Sequence, residues 1–419
     1  MLRLDCEAKD YDWGRPVATS EVAQLARAAG KELDAARPWA ELWMGTHPSG
    51  PSRVKRTGAL LSDWLARHPE ALGDRVARRF GGGLPFLFKV LSVETALSIQ
   101  AHPDKPLAAK LHAERPHAYR DANHKPEMAL AIEDFGALCG FVPLGELARA
   151  LRDYPELAGV VGEDLCAPVL AGPPEDGEAA RAALRGAFTA LMTADAGAAR
   201  GAVERLAARL GRVRDREPWR FGLKDSLVLR LHAQYPGDVG VLAAFFLNYV
   251  RLAAGEALYL PANEPHAYVW GQIVECMATS DNVVRAGLTP KLRDTDVLCE
   301  MLTYATGPPP VLTRGAGDVS VYAPPFDEFQ VAAAEAGPGG SVALPESAGA
   351  SLLLVLRGGA TATVAGGPAA ADALEGAGGE PLDVRRGDVF LVPAGAAVTL
   401  GAHGDGVVAY LASVNDRAL

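Results

Sequence analysis

The stretch SIQAHPDK, Ser98 to Lys105, ends an apolar run, LPFLFKVLSVETALSIQAH, with a hydroxyl, an amide and an imidazole at alternate positions. Read as a buried strand, the run puts Ser98, Gln100 and His102 on one face, because residues two apart in a strand point the same way. Polar groups held away from water cost free energy unless something replaces their lost hydration. A second stretch, NHKPEMALAI, likewise projects Lys125 and Glu127 together, and LPANEPHAY adds His266. Two imidazoles, one carboxylate and one amide oxygen form a ligand set that suits zinc with an open coordination position. Two His and one Glu equally fit a non-haem iron centre. The other histidines (His47, His68, His112, His117, His124, His232 and His403) read first as hydrogen-bonded or solvated structural side chains.

The elements that must carry these residues are strands interrupted by a helical block. Residues 1–143 mix short β-like runs with turns. From 144 to 250 the chain becomes rich in alanine, leucine and arginine at helical spacing, with Leu184, Phe188 and Leu191 on one face and Val203, Leu206 and Leu210 on another. AGPPEDG and REPW punctuate the block. Short strands return at 251–315 and continue through 316–419, at a spacing that suggests jelly rolls or barrels. GPPPVLTRGAGD reads as a linker into the last unit, and VAGGPAAADALEGAGG as a flexible surface loop. The fold class expected is mainly β with an α-helical insertion.

An internal echo ties the two β regions together. GEALYLPANEPH runs from Gly255 through Pro261 to His266, and GDVFLVPAGAAV from Gly387 through Pro393 to Val398, at the same intervals. Each copy has Gly-acid, a four-residue apolar strand, and Pro opening the next turn. Duplication of one β-module explains this better than chance. Val398 stands where the first copy has its histidine, so only the first module is expected to hold a metal.

Composition narrows the classes. The 419 residues are 49% hydrophobic and 22% charged, with a net charge of −10. That charge disfavours nucleic-acid binding through the overall field. No apolar run is long enough to span a bilayer, and the first residues, MLRLDCEAKDYDWG, do not form a secretory signal. The cysteines Cys6, Cys139, Cys166, Cys276 and Cys299 are scattered and lack CxxC spacing, which points to reduced thiols in a cytoplasm.

Taken in order, YDWG, WAELWMGTHPSGPS, SIQAHPDK, NHKPEMALAI, LPANEPHAY and VECMATSDNVVRAGLTPKLRD closely resemble type I mannose-6-phosphate isomerase, a zinc enzyme family of the cupin superfamily. The helical block and the last module match in kind rather than by motif. The resemblance implies two cupin-type jelly-roll β-barrel modules plus a helical domain. It implies zinc, one ion per chain, on Gln100, His102, Glu127 and His266, with Arg285 catalytic. Ser98 and Lys125 match phosphate-contacting positions, Lys291 is a further cation at the pocket, Glu275 is a proton-transferring group, and His47 assists ring opening.

The reaction implied is the reversible isomerisation of mannose 6-phosphate and fructose 6-phosphate through an enediol or enediolate, in carbohydrate metabolism leading to GDP-mannose. A cytoplasmic monomer acting on a small hexose 6-phosphate, without nucleic acid or membrane, is expected. Trp270, in VWGQ, departs from the small or polar residue usual there. The rival readings are an iron-dependent cupin oxygenase and a non-catalytic sugar-phosphate-binding cupin. No Gly-rich phosphate loop in a strand-helix context supports an added nucleotidyltransferase.

Overall fold

The computed structural model describes residues 1–172, 177–368, 374–376 and 379–418. Among them an 11-stranded and a 9-stranded sheet carry the β regions, with a helical block inserted between strands of the first. The first sheet runs Val311–Leu312, Ala257–Leu260, Glu127–Ala131, His266–Ala278, Phe86–Val93, Glu41–Met44 and Glu7–Lys9. On its second limb, Phe135–Phe141 pairs with Leu247–Leu252 and His266–Ala278, and Ile99–Ala101 pairs with His266–Ala278 and Val284–Gly287.

Alternation along these strands sorts side chains between two environments. Phe86, Phe88 and Val90, with Met128, Leu130, Val274 and Cys276, pack against Leu2, Leu4, Leu352, Leu354, Val389 and Leu391 of the 9-stranded sheet. The intervening positions, Leu91, Val93, Ala129, Ala131 and Ile273, face a separate core inside the first module. Lys89, Glu127 and Glu275 share that inward parity, so they are buried charges inside the module. Each position moved from one face to the other would exchange a charge for an aliphatic side chain.

One irregularity lets a single strand serve both ends of this interior. In His266–Ala278 the register against Phe135–Phe141 shifts between Gly136 and Ala137. Tyr268 faces inward before the shift, and Ile273 does so after it. Gly271 has φ +110°, and a Cβ there would lie 2.8 Å from Asp134 O, so only glycine fits the bend. Trp270 lies over Gly136 and donates its Nε1–H to Tyr249 Oη at 2.8 Å. Its bulk is therefore absorbed on the side of the helical insertion.

The helices, from Leu144–Asp153 to Gly240–Ala243, share a core in which Leu184, Phe188, Leu191, Val203, Leu206 and Leu210 are all buried, as their spacing predicts. None of the helices described is long and apolar enough to cross a membrane. Other expectations shift. LPFLFKVLSVETALSIQAH is two strands, Phe86–Val93 and Ile99–Ala101, separated by a turn. Ser98 precedes the second strand and His102 follows it, and Ser98 and Gln100 are only half-buried.

The linker residues Val311–Leu312 dock on Ala257–Leu258. Leu2–Asp5 and Arg53–Val54, within the first 143 residues, lie in the 9-stranded sheet, and Leu247–Leu252 crosses the expected 250/251 boundary. Parts of AGPPEDG (173–176) and of the Ala/Gly-rich loop (369–373, 377–378) lie outside the described residues.

The sequence echo has a structural counterpart. Gly255 and Gly387 take φ +86° and +87° before strands Ala257–Leu260 and Val389–Val392. Val398 is buried in the apolar core of the second module.

The two modules also meet through charge. Glu328, 4% exposed, accepts from His124 Nε2 at 2.7 Å and from Lys105 Nζ at 3.2 Å. Burial pushes its carboxyl up, but His124 and Lys105 outweigh burial and hold it at about 2. A carboxylate with a depressed pKa stabilises the fold fully above its ordinary value near 4.5 and loses that contribution as pH falls toward 2. Glu328→Gln is expected to lower unfolding free energy at pH 7 by about 2 kcal/mol. In urea titrations the difference from wild type should shrink below pH 4.5, and a pH-independent difference would contradict this account.

Candidate metal centre and its cleft

Strand register brings the expected ligands together. Glu127 opens Glu127–Ala131, His266 opens His266–Ala278, and His266 stands opposite Gln100 on Ile99–Ala101. His102, Glu127 and His266 are 1%, 2% and 1% exposed, and their ligand atoms lie within 4.8 Å of one another. His102 Nε2 is 3.4 Å from Glu127 Oε1, and His266 Nε2 is 3.3 Å from Glu127 Oε2. The Gln100 backbone pairs with His266 on one side and Arg285 on the other, so this strand joins the centre to the residues outside it.

The outer ring nitrogens settle the tautomers. His102 Nδ1 donates to Asn282 O at 2.6 Å, and His266 Nδ1 donates to Glu264 O at 3.1 Å. With Nδ1 carrying the proton, each neutral ring turns a bare Nε2 lone pair toward the carboxylate. His102 Nε2, His266 Nε2 and Glu127 Oε2 are buried without hydrogen-bond partners. Lone pairs facing a carboxylate in a dry interior repel one another, and a divalent cation held by His102, Glu127 and His266 would relieve that repulsion. The residues therefore fit a metal ion.

Protonation agrees with ligand duty. Burial lowers the His102 pKa to about 4, with Lys125 and His266 acting in the same direction and Glu127 opposing them. Burial opposes ionisation of Glu127, but Lys125 and His102 hold its carboxyl well below the usual range. Lys125 Nζ lies 2.8 Å from Glu127 Oε1, so in this structure the lysine rests on the ligand carboxylate.

Beside the centre is a second buried charge group. Lys89 Nζ is 3.1 Å from Glu275 Oε2, 3.8 Å from Glu41 Oε2 and 4.9 Å from the Trp43 ring centroid. Burial raises the Glu275 pKa, Lys89 opposes the rise, and Glu127 adds to it. Burial would lower that of Lys89, but Glu275 and Glu41 raise it. His47 packs edge-on to Trp43 and lies 3.4 Å from Asp281 Oδ1. Burial lowers its pKa although Asp281 opposes the change.

Ser98, Gln100, Arg285 and Lys291 line an open cleft of about 600 Å³, with Trp13 and Tyr235 among its apolar walls. Neither Arg285 nor Lys291 has a carboxylate partner among the described residues. Two unpaired cations at one cleft suit an anionic ligand. Ser98, Gln100, Arg285 and Lys291 thus meet at the cleft. His102, Glu127, His266 and Lys125 meet at the centre, and Glu275 and His47 lie in its buried surroundings.

Sequence reasoning missed Lys89 and Glu41. Lys89 had a legible signal, a lone cation in FLFKVLSV, whose every residue is buried. Asn282 was also missed, although its carbonyl orients His102. No local pattern marks a backbone carbonyl as a ligand's support.

Comparison with known proteins bears on this arrangement. The family model described as phosphomannose isomerase type I, catalytic domain, matches residues 1–144, and the one for its helical insertion domain matches 166–247. Mannose-6-phosphate isomerase 1 of Arabidopsis thaliana is 46% identical over 100% of this chain and 95% of its own. Mannose-6-phosphate isomerase of Homo sapiens is 40% identical over 96% of this chain and 95% of its own. The crystal structure of the apo form of mannose 6-phosphate isomerase from Salmonella typhimurium matches with a TM-score of 0.80, 27% identity and 99% coverage of both chains. A mannose 6-phosphate isomerase bound with zinc and yttrium matches with a TM-score of 0.80 and 28% identity, again over 99% of both chains.

The geometry predicts metal retention directly. Purified protein should carry about one divalent ion per chain by elemental analysis. His266→Ala should lose most of it on dialysis while keeping its far-ultraviolet circular dichroism. Full metal content in the variant would place the ion elsewhere.

Proposed function

The chain belongs to the type I phosphomannose isomerase family, and from that we propose that it interconverts mannose 6-phosphate and fructose 6-phosphate. The observation that carries the reading is a buried centre of unpartnered ligand atoms beside a cleft with two unpaired cations. Zinc is the ion assigned to His102, Glu127 and His266, with Gln100 as a fourth ligand. Bound there, it supplies Lewis-acid stabilisation of negative charge on oxygen.

The chain's own residues carry the remaining work. In the open sugar the C2 proton ends on C1 and the O2 proton on O1, exchanging carbonyl and hydroxyl. Glu275 is assigned to move the carbon-bound proton, because burial raises its affinity for a proton. Lys89, at 3.1 Å, keeps that carboxyl able to ionise.

Arg285 offers a planar fork of donors to the enediolate oxygens and keeps its charge at neutral pH. Ser98 and Lys291 at the cleft, with Lys125 beside Glu127, supply donors and positive charge for the phosphate, whose binding orients the reacting carbons. His47, buried beside Asp281, is assigned to ring opening. Five free, buried cysteines support a reducing, cytoplasmic setting.

A coupled assay with mannose 6-phosphate tests the reading, and binding without turnover would sink it. Arg285→Ala should keep its metal and lose about 100-fold or more in kcat, the scale of a deleted oxyanion donor. Near-normal turnover would remove Arg285 from the mechanism.

A further inference from the structure

The strand that carries Arg285, Val284–Gly287, has one β partner among the described residues, the short strand Ile99–Ala101. Its other flank rests on the helical insertion. There Gly287 and Gly240 meet backbone to backbone. A Cβ on Gly287 would lie 2.7 Å from Gly240 Cα, and one on Gly240 would lie 2.6 Å from Leu288 N. Both positions need glycine for this close approach.

Asp238 closes the contact. Its Oδ1 accepts from Gly240 N at 2.7 Å and from Leu288 N at 2.8 Å, and its Oδ2 accepts from Thr289 N at 3.3 Å. Leu288 takes φ +54°, a left-handed conformation its side chain disfavours, so surrounding structure must hold it there. Thr289 Oγ1 in turn accepts from Lys291 N at 3.1 Å. Leu288, Thr289, Pro290 and Lys291 all line the cleft, whereas Asp238 stands behind them and lines a separate cleft shared with the helices. One carboxylate from the insertion thus fixes the turn that follows Arg285 and the loop that leads to Lys291.

We infer that Asp238 is a positioning residue for the isomerisation, holding the Arg285 strand and the Lys291 loop in place before the sugar phosphate arrives. The inference rests on the roles given above to Arg285 and Lys291. It assigns the helical insertion a part in catalysis although no helix residue need touch the reacting atoms. Donors fixed in advance do not have to reorganise as charge develops, and small misplacements of such groups are expensive.

The test compares wild type, Asp238→Ala and Asp238→Asn by steady-state kinetics with mannose 6-phosphate, bound metal, thermal melting, and amide exchange at Leu288 and Thr289. Asp238→Ala should keep its metal, release both amides to exchange, and lose about tenfold or more in kcat/KM. Asp238→Asn keeps one oxygen for Gly240 and Leu288 and loses the acceptor for Thr289, so a fall of about threefold is expected. A purely structural role would lower the melting temperature and leave the kinetic constants alone. Freed amides with unchanged kcat and KM overturn the inference.

Should Asp238→Ala fail to fold, Asp238→Asn decides the matter. Faster exchange at Thr289 with a raised KM supports positioning, and wild-type constants overturn it. If wild type itself does not isomerise the sugar, the functional reading falls separately. The positioning claim is then judged by calorimetric binding of inorganic phosphate, weaker by about tenfold in Asp238→Ala if the claim holds and equal if it fails.

Discussion

Two imidazole lone pairs and a carboxylate oxygen converge on one point in a dry interior, and the rest of the site is organised around that electrostatic conflict. Alone, the three groups repel. The fold nevertheless fixes both rings in the wrong tautomer for hydrogen bonding inward, by holding Nδ1 of His102 and His266 on backbone carbonyls. Backbone carbonyls cannot be removed by side-chain substitution, so the tautomers are built into the chain path. What the centre lacks is positive charge, and Lys125 supplies some of it at 2.8 Å from Glu127. The ammonium holds Oε1 while the unpartnered Oε2 is left for a dication, so the two charges would share one carboxylate.

Strand parity extends the constraint outward. Lys89, Glu127 and Glu275 point inward because Phe86, Phe88, Met128, Val274 and Cys276 must point outward to meet the other sheet. The apolar contact between modules therefore determines which charges are buried. The register shift between Tyr268 and Trp270, next to the positive φ of Gly271, lets one strand present His266 at one end and Glu275 at the other, despite their odd separation. In a regular strand of that spacing the two would lie on opposite faces.

The candidate ligands are legible because they break a pattern: Gln100 and His102 close an apolar run, and Glu127 opens one. The helical insertion was legible from spacing, as the buried Leu184, Phe188 and Leu191 bear out. Less visible were features that depend on long-range register. The turn between Val93 and Ile99 contains no proline or glycine, so VETALSI reads as strand although the chain leaves the sheet there. The membership of Leu2–Asp5 in the distant sheet could not be read locally, since its partner lies at Val389–Val392. Trp270 looked like an intrusion, but its environment, Gly136 and Tyr249, is assembled from other strands.

That pairing of Leu2–Asp5 with Val389–Val392 has a consequence for the order of events at the ribosome. The partner is made roughly 20–80 s after the strand itself, at ordinary rates of about 5–20 residues per second. Until then Leu2 and Leu4, fully or nearly buried at the end, lack the Leu352, Leu354, Val389 and Leu391 side of their packing and have only Val54 and the first module against them. The first module can close around its centre with Leu4–Asp5 paired to Arg53–Val54 on one side only, so a chain stalled before Val389 would present the other, apolar and unpaired edge to chaperones and to other nascent chains.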